Sequence, residues 1–184
     1  NVISIVDGTV ESNAALIKSR LDYLERTTLK KVSCQVQKLA EECASKEAAG
    51  ITFTLYDDCS FDVDDPEVML TEGEEKYYQT IKTGMIKKIK NEIAGINEYN
   101  EKQGVLSRRF VYTNNSCISF IHAMCRDDSL NIDFVLRSSN VKQTFHNDLK
   151  FLYHLSKCVY DQLNFDNIKF VKMKFTLNSA HIIR

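Results

Sequence analysis

Cys117 and Arg137 stand twenty positions apart in the stretch CISFIHAMCRDDSLNIDFVLRSSNVKQTFHND, which runs from Cys117 to Asp148. A thiolate is a soft nucleophile and a good leaving group, so it can add to an electrophilic carbon and depart again. A guanidinium is a planar fork that grips a phosphate or carboxylate through parallel hydrogen bonds. A free thiol has a pKa of about 8.5, and a nearby cation lowers it toward useful thiolate at neutral pH. The pair therefore suits a substrate with an electrophilic carbon and an anionic tail. Ser138 beside the arginine, the polar pair Asn147 and Asp148, and the run Asn178-Ser179-Ala180-His181 supply further polar groups. The bland alternative is that a single cysteine in a strand is a small buried hydrophobe and an arginine closing a hairpin a solvated cap.

Placing those groups together requires specific elements. Cys117–Met124 and Leu130–Leu136 read as two strands joined by an Arg-Asp-Asp-Ser turn, and an antiparallel hairpin brings the start of one strand to the end of the other. Phe145 to Leu163 reads as an amphipathic helix through Leu149, Leu152, Leu155, Val159 and Leu163. His146 and His154, on or near it, read as surface or interface residues. Ile168–Leu177 alternates as a half-buried strand that delivers Asn178 to His181 to the sheet edge. Upstream, Val2–Val6 and Ile51–Tyr56 read as strands, with Ala48-Ala49-Gly50 ending a helical region that runs from Asn13 to about Cys43 and breaks at Thr27-Thr28. Glu74 to about Asn100 reads as a second long helical region, and Leu106 to Tyr112 as a strand that opens with the pair Arg108-Arg109. The predicted fold is α+β, a mixed or antiparallel sheet packed on long helices, within one domain of residues 1–184. Residues 1–104 are expected to be its mainly helical part and 105–184 the sheet part that carries the site.

Composition narrows the function classes. The chain has 184 residues, 43% hydrophobic and 27% charged, with a formal net charge of −1. That balance provides no electrostatic field for nucleic acid, and the scattered lysines and arginines give none for a membrane surface. No apolar run reaches the length of a membrane span, and the first residues lack the pattern of a secretion signal. Six irregularly spaced cysteines show no zinc-ligand spacing and, with the other signals, point to reduced thiols and a cytoplasmic protein without a bound metal. Five aspartates lie within residues 57–65, but without the glycine of a calcium loop they read as a solvated acidic loop.

The order and spacing of Cys117, Arg137-Ser138, Asn147-Asp148 and Asn178-Ser179-Ala180-His181-Ile182-Ile183 resemble the thymidylate synthase and deoxycytidylate hydroxymethylase superfamily. Its pattern is Cys-His, Arg-Ser-x-Asp, Pro-Phe-Asn and Gly-Asp-x-His-x-Tyr, with the same interval between cysteine and arginine. The resemblance spans roughly Arg108 to Arg184. It implies a thymidylate synthase-like fold and a pyrimidine nucleoside monophosphate, dCMP or dUMP, as substrate. Cys117 would add to C6 of the ring, and methylene-tetrahydrofolate would supply a one-carbon unit to C5. Arg137 and Ser138 would hold the phosphate, aided by Arg108 and Arg109 from the second subunit of a homodimer, and His181 a sugar hydroxyl. The base would be read by Asp148, which implies cytosine, or by Asn147 if one residue is deleted, which implies uracil.

The departures are as concrete as the matches. Ile118 follows the cysteine, Asn140 replaces the aspartate of Arg-Ser-x-Asp, Gln143 to Asn147 replaces the Pro-Phe-Asn loop, and Ile183 stands at the tyrosine. No counterpart of the family's general-base glutamate is found, and the sequence ends three residues after His181, where the family continues into a segment that closes over the folate. Three expectations stay open. One is a diverged C5 methyl- or hydroxymethyltransferase, the second a catalytically silent relative that binds nucleotides or proteins, the third an unrelated α+β domain.

Overall fold

The computed structural model describes residues 4–6, 29–66, 68–76, 78–79, 83–84, 86–88, 90–91, 94, 111–113, 115–126, 128–163 and 168–183. Seven strands form one mixed sheet: β1 (Ser4–Val6), β2 (Glu47–Asp57), β3 (Val111–Thr113), β4 (Ile118–Arg126), β5 (Ser129–Leu136), β6 (Ser139–Asn140) and β7 (Phe170–His181). The helices α1 (Leu29–Glu42) and α2 (Phe145–Leu163) accompany it. The described residues between 72 and 94 are also helical. The strand order is β1-β2-β7-β5-β4-β3, with β6 beside β7. All neighbours are antiparallel except β5 with β7 and β6 with β7. The architecture is thus α+β, with α2 as the crossover between the parallel strands β5 and β7. No helix among the described residues is long and apolar enough to cross a membrane.

Alternation builds the core. On β5, Leu130, Ile132, Phe134 and Leu136 are buried while Asn131, Asp133 and Val135 are half-buried, and β7 repeats this with Val171, Met173, Phe175 and Leu177 inward. Leu29, Val32, Val36 and Ala40 recur at helical spacing on α1 and are buried against α2, β2 and β7. On α2, Phe145, Leu149, Leu152, Tyr153, Ser156, Val159 and Leu163 are all buried. Phe175 stands at the centre, stacked on Phe53 at 4.9 Å and tilted to Phe134 at 5.3 Å. Burial of such rings supplies much of a domain's apolar stabilisation.

The sheet is not confined to residues 105–184. β1 and β2 come from the first 57 residues, and β2 pairs with β7 along nearly its whole length. Ala48-Ala49-Gly50, expected as a helix end, is instead the beginning of β2, because Glu47, Ala48 and Ala49 pair with His181, Ala180 and Ser179. The helix ends earlier, at Glu42, and the chain reverses where the Lys46 amide donates to the Cys43 carbonyl at 2.9 Å and Lys46 takes a φ of 57°. Likewise β7 does not stop at Leu177. It continues through His181 between β2 and β6, so the Asn178 to His181 run lies inside the sheet rather than at its edge.

Two local features set the geometry of the sheet end. Ser119 interrupts the β4–β5 ladder: Phe120 faces Val135, but Ile118 faces Leu136. Such a bulge shifts the facing of every residue before it, and Ile118 and Ile121, three residues apart, are both buried. Arg137 and Ser138 separate β5 from β6 without a slip, since Leu136 pairs with Leu177 and Ser139 with Ala180.

Candidate functional site

At the end of β4, β5, β6 and β7 lies a cavity of about 660 Å³. That volume is within the range of small-molecule sites. Its lining brings together six residues singled out in the sequence: Cys117, Arg137, Ser138, Asn147, Asp148 and His181. Arg108 and Arg109 lie outside the described residues. Asn147 and Asp148 both line the cavity, as adjacent wall residues.

The thiol and the guanidinium are neighbours by construction. Cys117 is exposed immediately before β4, and its carbonyl accepts the Arg137 amide at 2.7 Å. The Ser119 bulge produces this pairing. On the regular register of β4 and β5, Cys117 would lie across from Ser138 instead. Arg137 is exposed and makes no ion pair among the described residues, which leaves its fork for a ligand. Two of the other thiols differ. Burial pushes Cys59 and Cys125 each up to about 12, so neither is a thiolate at neutral pH.

The floor is a hydrogen-bonded turn that caps α2. Asn140, 8% exposed, accepts the amides of Gln143 and Thr144 at its carbonyl at 3.1 and 2.9 Å, and the Lys142 amide at its side-chain oxygen at 3.3 Å. This asparagine thereby builds the turn. The Ser139 hydroxyl, from a residue 3% exposed, donates to Asp148 Oδ2 at 2.6 Å and is the only partner of that carboxylate among the described residues. Burial raises Asp148 from the usual 3.8 to about 6, with the Ser139 bond opposing.

A further wall comes from a segment that sequence reasoning does not assign to the site. The described residues of 68–79 pack along a second stripe of α2. His154 Nε2 lies 3.0 Å from the Val68 carbonyl, Tyr78 stacks on Phe151 at 5.6 Å, and Lys150 Nζ donates to the Glu74 carboxylate at 3.1 and 3.3 Å. Glu74 and Gly73 thereby line the cavity together with Asn147 and Asp148. Burial alone pushes Glu74 up, yet the Thr71 amide at 2.8 Å and the Lys150 ammonium outweigh it and hold the carboxyl below its usual value. The one signal for Glu74 in the sequence is its Thr-x-x-Glu spacing from Thr71, a capping box whose return bond, the Glu74 amide to Thr71 Oγ1, spans 3.3 Å.

On the β7 side, the His181 carbonyl accepts the Val141 amide at 3.0 Å and its Nδ1 lies 3.5 Å from Ser179 Oγ. Among the described residues, no group of three or more His, Cys, Asp or Glu could hold a metal ion.

The fold and cavity define an α+β protein in which one cleft gathers an exposed thiol, a guanidinium with no ion pair among the described residues, two carboxylates of opposite tuning and an imidazole. No protein-family model and no curated protein matches the chain.

Proposed function

We propose that the cavity binds a pyrimidine nucleoside monophosphate and that Cys117 adds covalently to C6 of the ring, on a scaffold of the thymidylate synthase and deoxycytidylate hydroxymethylase kind. The observation that carries this reading is the shared cleft: Cys117 and Arg137 meet at the adjoining ends of β4 and β5, within one lining that also holds Ser138, Asn147, Asp148 and His181. A phosphate would take the Arg137 fork and the Ser138 hydroxyl, the ring would lie between Cys117 and Asp148, and the sugar would approach His181. A carboxyl at Asp148 accepts from the exocyclic amine of cytosine, which favours dCMP over dUMP.

The step within reach of these residues is reversible addition. The Cys117 thiolate bonds to C6, the electron pair moves onto C5 as an enolate-like centre, and C5 takes a proton from solvent. Loss of the original C5 proton and expulsion of the thiolate then restore the ring. The described lining supplies partners for a phosphate, a ring and a hydroxyl, and this chemistry proceeds without methylene-tetrahydrofolate. A homodimer with Arg108 and Arg109 reaching the second copy's phosphate, and a cytoplasmic location, belong to the same reading.

One observation favours a silent nucleotide binder instead. The Cys117 thiol has no hydrogen-bond partner among the described residues, so none of their side chains is in place to take its proton. Release of tritium from C5-labelled dCMP separates the two. Release that disappears in Cys117→Ser supports covalent catalysis, whereas thermal stabilisation by dCMP without release supports a binder. Absence of both responses removes the nucleotide reading.

A further inference from the structure

Glu47 and Ser179 belong to neighbouring strands, and neither lines the cavity described above. Glu47 pairs directly with His181 in the β2–β7 register, and Ala49 with Ser179. The Ser179 hydroxyl donates to Glu47 Oε1 at 2.6 Å, across 132 residues of chain. The same hydroxyl oxygen lies 3.5 Å from His181 Nδ1.

A serine hydroxyl carries one proton, and an ionised carboxylate can only accept. With that proton committed to Glu47 through a short, charge-assisted bond, the remaining function of Ser179 Oγ toward the imidazole is to accept. His181 Nδ1 must then carry hydrogen. In the neutral ring this leaves Nε2 as the acceptor, and it has no partner among the described residues, although His181 lines the cavity. The backbone holds the ring's anchor from two sides. The His181 carbonyl accepts the Val141 amide at 3.0 Å, and the next residue's amide donates to the Lys46 carbonyl at 3.0 Å.

We propose that Glu47 and Ser179 are positioning residues that fix the tautomer of His181, so that Nε2 faces the cavity as an acceptor for a ligand hydroxyl. The identity of that hydroxyl, the 3′-OH of a nucleoside monophosphate, rests on the nucleotide reading. The tautomer does not. The arrangement parallels the way an outer hydrogen bond at one ring nitrogen selects the state of the other.

The test has two arms on the full chain. Long-range 1H–15N NMR, with His181 assigned through His181→Gln, reads the tautomer directly. An Nδ1–H ring in the wild type that moves toward the Nε2–H form in Ser179→Ala and in Glu47→Ala supports the relay. An Nε2–H ring in the wild type, or no change in either variant, overturns it. In the second arm, affinities for dCMP and for 2′,3′-dideoxycytidine monophosphate are compared. The wild type is expected to prefer dCMP by about three- to tenfold, the usual range for one neutral hydrogen bond, and His181→Phe to lose that preference without losing affinity for the dideoxy analogue. A preference unchanged in His181→Phe overturns the hydroxyl assignment. If neither nucleotide binds while the ring is Nδ1–H, the nucleotide reading falls and the tautomer assignment stands. An Nε2–H ring in a protein that binds dCMP does the reverse: the tautomer assignment falls and the nucleotide reading stands.

Discussion

The Arg137 amide donates to the Cys117 carbonyl at 2.7 Å, so the two residues are joined through the backbone. The separation of their backbones is set by strand geometry and does not depend on either side chain. Substituting one should therefore leave the other in place, and the two roles can be tested one at a time.

Arg137→Ala is expected to weaken dCMP binding by about ten- to a hundredfold, the range for loss of hydrogen bonds to a charged group. Arg137→Lys should restore only part of it, because an ammonium lacks the planar fork. Calorimetric titration at fixed ionic strength measures both, and Cys117→Ser should bind dCMP nearly as the wild type does.

Asp148 is costly to keep ionised in the cavity wall. Its folded value is about 6 against an ordinary 3.8, so the folded state binds more protons than the unfolded state between those values. The contribution of this group to stability is complete below about 3.8 and is lost as pH rises through about 6. Asp148→Asn should flatten that slope and raise stability at pH 7.5 by up to ~3 kcal/mol, the equivalent of about two pKa units. Urea unfolding at pH 5 and pH 7.5 gives the answer, and equal slopes in the two proteins would exclude it.

Glu74 has the opposite sign. Its carboxyl is held below the usual 4.5, so it contributes stability above that value which is lost as pH falls. Lys150 is 8% exposed and pairs with Glu74 at 3.1 Å. Lys150→Met should cost ~1–3 kcal/mol by leaving a half-buried carboxylate without its cation. It should also raise the rate at which Cys117 reacts with a thiol reagent, since the wall that carries Gly73 and Glu74 is then no longer pinned to α2. An unchanged rate would show that the pair does not hold that wall.

Asp57 is fully buried, with Tyr153 donating to Oδ2 at 2.9 Å and the Phe61 amide to Oδ1 at 3.3 Å. Burial raises its pKa despite both bonds. Tyr153→Phe should destabilise the protein by ~1–3 kcal/mol by removing one donor from this buried carboxylate, while Tyr153→Phe combined with Asp57→Asn should recover part of the loss. Chemical denaturation of the three variants provides the comparison.

Legibility in the sequence follows the range of the interactions. α2 spans Phe145–Leu163 as its apolar period predicts, and the β4–β5 hairpin is legible nearly to its ends, because both rest on local alternation. The six described site candidates share one cavity because the hairpin and the helix start that carry most of them are local features. Glu47 shows no local sign of strand or site. Its strand forms through pairing with Ser179 and His181 more than a hundred residues away, and Ala48-Ala49-Gly50 resembles a helix end on its own. Gly50, with φ 69°, sits opposite Asn178 in that register, a backbone state that a side chain would strain. Glu74 is equally silent in the sequence as a site residue, because the wall it forms arises only when the described residues of 68–79 settle on α2.

The Ser119 bulge makes the interval between Cys117 and Arg137 a mechanical quantity. The bulge and the paired lengths of β4 and β5 add up to one backbone alignment of Cys117 with Arg137, and a one-residue insertion or deletion within either strand shifts that alignment. Point substitutions at the half-buried and exposed positions of the hairpin can thus accumulate where indels cannot. A protein can drift far from recognisable motifs along such a path while the count between two residues stays fixed.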